Sequence, residues 1–182
     1  MRVEIYPERR AADFHGSFRL ENATAQAIDT LHVATSTQAG VETRRLDFDR
    51  PATPVVNDAV LGHRIYELAT PLQPGESMQL RYEVRFAPRG FGNGGAADAV
   101  AGNGSWLIAL AYVPSIGYQP VRELRAAGDR LTQGLPARPV VPRLEDPKQR
   151  VEAPGDVGML FDAIVVTDPD QIAVAPGKLR RS

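Results

Sequence analysis

Met78-Gln79-Leu80-Arg81-Tyr82-Glu83-Val84-Arg85-Phe86 alternates apolar and polar residues without a break. In an extended chain this period of two puts Met78, Leu80, Tyr82, Val84 and Phe86 on one face and Gln79, Arg81, Glu83 and Arg85 on the other. Such a segment is a strand with one buried and one wet face. Gln73-Pro74-Gly75-Glu76 precedes it and reads as a turn, with Pro74 fixing φ and Gly75 supplying a positive φ. His63 to Leu68, ahead of that turn, is expected to be the strand's hairpin partner. Phe14 to Leu20 alternates in the same way, with Phe14, Gly16, Phe18 and Leu20 on one face. Glu21-Asn22-Ala23-Thr24 then reads as a turn into a strand through Leu31 and Val33. Val3 to Tyr6 and Val41 to Phe48 are further strand candidates. Trp106 to Val113 is continuously apolar, which predicts a central or buried strand. Phe161 to Thr167 and Gln171 to Ala175 flank the turn Asp168-Pro169-Asp170 and read as a last hairpin.

Helix evidence is confined to Arg122–Leu131, where Gly128 interrupts the pattern. Pro136, Pro139, Pro142, Pro147 and Pro154 exclude regular helix or central strand from 133–154, which reads as an extended surface arm. The expected fold is all-β: an antiparallel β-sandwich or saddle-shaped curved sheet of about eight strands, with a Pro-rich arm and at most one short helix. The 182 residues fit a single domain spanning 1–182.

Composition narrows the chemistry. Lys and Arg total 21 against 22 Asp and Glu, a net charge of −1, which argues against binding nucleic acid by phosphate neutralisation. Cysteine is absent, so disulfides, thiolate nucleophiles and Cys-ligated zinc are excluded. The longest apolar run is far short of the ~20 residues of a membrane helix. Met1 to Arg10 is charged and has no apolar core, so it does not read as a signal peptide.

A helical zinc site of the His-Glu-x-x-His kind is absent, because His15, His32 and His63 have no second histidine within helical reach. They read as solvated strand residues, although distant histidines can meet in a sheet. No serine has the Gly-x-Ser-x-Gly surroundings of a nucleophile elbow. Neither Lys148 nor Lys178 lies in a phosphate-binding loop. Gly90-Phe91-Gly92-Asn93-Gly94-Gly95 fits the spacing of a dinucleotide loop. The β-rich surroundings and the break at Gly102-Asn103-Gly104 deny it the helix that mechanism needs, so it reads as a loop between strands. Glu145-Asp146 and Asp168-Pro169-Asp170 read as solvated turns. Trp106, Tyr112 and Tyr118 cluster around the apolar run, where core packing is the plainer reading and stacking on a sugar or a partner the sharper one. Asn22 and Asn103 each open an Asn-x-Ser/Thr triplet, and nothing else in the sequence argues for a glycosylating route.

Several stretches together resemble a known bacterial family: Pro7-Glu8-Arg9-Arg10, Gly16-Ser17-Phe18-Arg19-Leu20-Glu21-Asn22 and Leu72-Gln73-Pro74-Gly75-Glu76. Further on come Asn103-Gly104-Ser105, Pro114-Ser115-Ile116-Gly117-Tyr118, Arg122-Glu123-Leu124, Gly134-Leu135-Pro136-Ala137-Arg138 and Asp170-Gln171-Ile172-Ala173-Val174-Ala175-Pro176-Gly177. They are similar to the region upstream of the catalytic domain in large bacterial membrane proteins that join an ABC-type permease to a zinc aminopeptidase-like module of the membrane-alanyl-aminopeptidase type. The likeness covers nearly the whole chain, and the ordered series from Asn103 to Gly177 is its most specific part.

The resemblance implies a non-catalytic, saddle-shaped N-terminal domain that buttresses a downstream zinc peptidase domain and walls its peptide cleft. It implies no cofactor in this chain, zinc belonging to the catalytic domain. The implied partners are that domain, the permease part and a peptide substrate, with no nucleic acid. The implied location is a soluble, extracytoplasmic part of a membrane protein, with the catalytic domain expected after Ser182. The segment from Trp106 to Tyr118 corresponds to the cleft side, which makes Asn103, Trp106 and Tyr118 candidate cleft contacts. The related enzymes usually carry a Gln there and a Pro-x-x-Asp-Glu turn, whereas this chain has Pro114-Ser115-Ile116-Gly117-Tyr118 and no such Gln. The alternative reading is an independent β-sandwich that binds carbohydrate or a protein partner through Trp106 and nearby tyrosines. A third is a structural interaction domain using the arm at 133–154.

Overall fold

The computed structural model describes residues 1–90, 99–117, 119, 122–138 and 160–180. The chain divides into two compact units, Met1–Tyr118 with Asp162–Ser182, and Gln119–Phe161. The first is all-β. Its strands are β1 (Arg2–Tyr6), β2 (Ala11–Glu21), β3 (Ile28–Ala34), β4 (Val41–Phe48), β5 (Ala52–Asp58), β6 (His63–Leu72), β7 (Ser77–Phe86), β8 (Ser115–Ile116) and β9 (Ile164–Val166). They form two sheets, ordered β4-β7-β2-β1-β9 and β5-β6-β3-β8, every pairing antiparallel except β1 with β9.

The alternating strand sits in the middle of the first sheet. β7 runs beside β2 from Ala12↔Phe86 to Glu21↔Ser77 and beside β4 on its other edge. Its even-numbered residues, Met78 to Phe86, are all buried. Its odd-numbered residues join a lattice of charge on the outer face. There Arg85 pairs with Asp13 at 2.7 Å, and Arg45 bridges Glu83 at 3.3 Å and Asp47 beside it. Opposite charges placed across strands satisfy one another and keep this face wet.

With both edges of β7 taken, β6 cannot be its hairpin partner. The expected hairpin through Gln73–Glu76 is therefore corrected: β6 lies in the second sheet, and the turn carries the chain from one sheet to the other. Alternation reveals a strand's buried face but not its neighbours. β2 to β3 crosses between the sheets as well, and Asn22 holds the two crossings together. Its amide nitrogen donates to the carbonyls of Gln26 (2.7 Å) and Leu72 (2.8 Å). Its side-chain oxygen accepts from the Thr24 hydroxyl and N–H. Its own N–H donates to Glu76, and its carbonyl accepts from Gly75. Glu76 closes the turn by accepting from the Gln73 N–H at 2.9 Å and from Arg50 at 2.8 Å.

These two contacts, Arg50 first, hold the Glu76 carboxyl below its ordinary value. Stabilisation from Glu76 is therefore present above the unfolded-state value and lost as pH falls through the lower folded-state value. Urea midpoints at pH 7 and pH 3 are expected to fall further for the wild type than for Glu76→Gln. Equal falls would show that the contact carries no pH dependence.

Two apolar clusters fill the unit. Leu31, Leu68, Leu72 and Met78 pack between the sheets with Leu20, Ile28 and Phe48 against them. Val3, Ala12, Phe14, Tyr82, Val84 and Phe86 form the second, with Val100, Tyr112 and Val113 from the chain beyond β7. The expected strand Trp106–Val113 is accordingly corrected. The segment makes no ladder there; it steps through a 3-10 turn at Ala109–Ala111, and only Ser115–Ile116 joins a sheet. The last expected hairpin is half present. Ile164–Val166 pairs with β1, but 171–175 forms no strand. Gln171 is held instead by its side chain on the Gly102 carbonyl at 3.0 Å.

In the second unit the helix expected over Arg122–Leu131 is shorter and later, α1 (Ala127–Thr132). Arg130 on α1 is buried and donates to the carbonyls of Pro136 (2.8 Å) and Leu124 (3.0 Å) and to the Glu123 carboxylate (2.9 Å). Arg138 reaches the same carboxylate at 3.1 Å. Arg122-Glu123-Leu124 and Gly134-Leu135-Pro136-Ala137-Arg138 therefore form one clasp around a short helix. The arm expected at 133–154 falls in this unit, and its part from 139 onward lies outside the described residues.

Candidate functional site

Val100, Tyr112 and Val113 of the segment 99–117 pack with the buried residues of the first sheet. Tyr112 anchors the segment. Its ring stacks on Phe14 at 5.0 Å between centroids and meets Phe86 edge-on at 5.1 Å. Val100 and Val113 are buried beside it, and Leu107 packs against the same cluster. The Trp106 N–H donates to the Ala99 carbonyl at 2.8 Å, and the Gly117 N–H donates to the His32 carbonyl at 2.8 Å. The segment is thus tied to itself at one end and to β3 at the other.

This anchoring dictates what faces out. Leu107 packs inward while its neighbours Trp106 and Ile108 turn outward, the alternation of an extended chain. Leu110 follows them from the 3-10 turn. Trp106 is 79% exposed, Ile108 58% and Leu110 73%. A row of large apolar side chains kept in water by the register of its own backbone has the character of a contact surface. Core packing, the plainer reading of the aromatics, holds for Tyr112 and fails for Trp106. Asn103 is exposed on the loop leading into the row. Tyr118 lies outside the described residues, as do 91–95 of the glycine-rich stretch and Glu145-Asp146. Ile108 and Leu110 were not singled out from the sequence; the signal for them was the eight-residue apolar run itself, too uniform to show which half turns inward.

Among the described residues, no group of three His, Cys, Asp or Glu is placed to hold one metal ion. Burial pushes Tyr82 up to about 12, and its hydrogen bond to Glu4 pushes Tyr6 up to about 12. Burial also raises Tyr112, partly offset by a hydrogen bond with Gln38. A general acid or base works best with a value near the operating pH, and burial moves Tyr82 and Tyr112 away from it. Asn22 is 1% exposed and its amide is spent on two carbonyls, which makes its Asn-x-Thr triplet inaccessible in the folded chain. No helix among the described residues is long and apolar enough to cross a membrane.

Comparison with protein-family models and with curated proteins found no match for this chain.

Truncation separates the anchor from the row. Tyr112→Ala empties a ring-sized space between Phe14 and Phe86 and is expected to cost about 3–5 kcal/mol. Trp106→Ala removes an exposed ring and is expected to cost less than about 0.5 kcal/mol. Urea unfolding of both variants checks the contrast, and similar losses would place Trp106 in the core.

Proposed function

We propose that the chain is a non-catalytic docking domain, the N-terminal β domain of a membrane-associated zinc aminopeptidase-like protein, and that it braces the catalytic domain along the edge of the peptide cleft. The observation that supports this reading most is the outward row Trp106, Ile108 and Leu110 on a segment rigidly anchored by Tyr112. A bracing surface needs exposed apolar area held in one shape, because a preordered surface loses less freedom on association. The lattice of paired charges on the outer face of the first sheet suits solvent, so it marks the opposite side as free. Two stretches that carry the family resemblance, Gly16 to Asn22 and Leu72 to Glu76, meet at the Asn22 junction, so their role is architectural. In this reading Asn103 and Trp106, both exposed, are the residues that touch the cleft. The soluble, extracytoplasmic setting belongs to the same reading, as does the zinc, which the partner domain would hold.

The test is the reading frame beyond Ser182. It is expected to encode His-Glu-x-x-His followed by a glutamate on a helix, and the longer protein is expected to hydrolyse aminoacyl reporters only with that part present. Cleavage by the 182-residue chain alone, or a frame without those ligands, would overturn the proposal.

Trp106 itself favours a second reading, an independent sandwich that binds sugar or another partner through one exposed indole. Against a sugar platform, no other exposed aromatic of the first unit stands with Trp106 among the described residues. Quenching or shifting of its fluorescence by oligosaccharides would support this alternative.

A further inference from the structure

The sandwich brings together two of the three histidines that the sequence left apart. His32 on β3 and His63 on β6 lie on adjacent antiparallel strands, in a register that sets Ala34 opposite His63 and His32 opposite Ile65. The two histidines are therefore diagonal neighbours on the outer face of the second sheet. Their ring centroids are 5.4 Å apart and the planes are inclined by 43°. His32 is exposed and His63 half-buried. The backbone beneath them is fixed from both sides: the Gly117 N–H holds the His32 carbonyl at 2.8 Å, and the Thr35 N–H holds the Gly62 carbonyl at 2.8 Å.

The spacing suits one shared ion. Imidazole nitrogen binds zinc at about 2.0–2.1 Å, which puts each ring centre about 3.2 Å from the ion. Two such centres 5.4 Å apart subtend roughly 115° at the ion, close to the tetrahedral angle this metal prefers. We infer that His32 and His63 form a surface site for a borderline divalent cation of the Zn²⁺, Ni²⁺ or Cu²⁺ class, with two protein ligands and the remaining positions filled by water. Imidazole pairs favour these ions, whereas Ca²⁺ and Mg²⁺ require oxygen ligands. Asp58 is in register with His63 on the other side, but its carboxylate accepts the Leu61 N–H at 2.8 Å. The site is separate from any catalytic zinc of a partner domain, since both ligands belong to this sheet.

Calorimetric titration of the 182-residue chain with zinc chloride and with nickel chloride tests it. One ion is expected per chain. His32→Ala and His63→Ala are each expected to weaken binding at least tenfold. His15→Ala, on the outer face of the other sheet, is expected to bind like the wild type, and calcium chloride to give no binding heat. Saturating zinc should raise the thermal midpoint of the wild type and of His15→Ala by more than that of the other two variants, as mass action requires of an ion that binds only the folded chain. Binding by His32→Ala or His63→Ala equal to the wild type, or no zinc or nickel binding by the wild type, would overturn the assignment.

Discussion

Asn22→Asp is expected to be among the most damaging single-atom exchanges in this protein, costing on the order of 4 kcal/mol at neutral pH. The substitution keeps the shape of the side chain and removes its donors. In the native fold those donors satisfy the carbonyls of Gln26 and Leu72, and the residue is 1% exposed. A carboxylate there would face two carbonyl oxygens with no water to relieve it. The loss should shrink as the pH is lowered, because the protonated acid can donate one of the two bonds, so its folded-state value is raised and acid favours the folded form. Asn22→Ala should cost about 3 kcal/mol with no such recovery. Urea unfolding from pH 7 to pH 4 separates the two. A neutral Asn22→Asp variant would mean that the crossings between the sheets are held by something other than this side chain.

The second large effect is expected at Gly62, and a sister glycine serves as its control. Gly62 and Gly75 both have positive φ, +59° and +77°. Alanine in this region costs roughly 1–2 kcal/mol from the backbone alone. A Cβ on Gly75 meets nothing within 4 Å, so Gly75→Ala should lose only that amount. A Cβ on Gly62 would overlap the carbonyl oxygen of Thr35 and stand 2.8 Å from the side-chain methyl of Thr37. Backbone cannot yield as a flexible side chain can, and the Gly62 carbonyl is already bonded to the Thr35 N–H. Gly62→Ala is therefore expected to cost about 3 kcal/mol or more. Chemical denaturation of the two variants side by side is the check, and equal losses would show that the clash relaxes freely.

The alternating strands were legible because burial on one face of a sheet is written every second residue. Met78 to Phe86 and Phe14 to Leu20 occupy the faces their patterns require. Neighbour choice was not legible. β7 pairs with β2 and β4 through contacts distant in sequence, so the short turn at Gln73–Glu76 looked like a hairpin and is a crossing between sheets. β5 was missed because Pro54 and the exposed Val55 and Val56 break its alternation at an open edge. The candidate surface was half legible. The run Trp106–Val113 stood out as apolar, but uniform hydrophobicity carries no period, and only the insertion of Tyr112 between Phe14 and Phe86 decides which side chains face water. The meeting of His32 and His63 depends on the β3–β6 register and has no signature in the sequence.

Trp106 is the chain's one tryptophan, so its fluorescence reports on the row directly and without substitution. If Leu107 and Tyr112 anchor the segment and turn the row outward, emission should match that of a free tryptophan amide in water, with acrylamide quenching nearly as efficient. Emission shifted to the blue and shielded from acrylamide in the isolated chain would place the indole inside the sandwich and contradict the account of this surface.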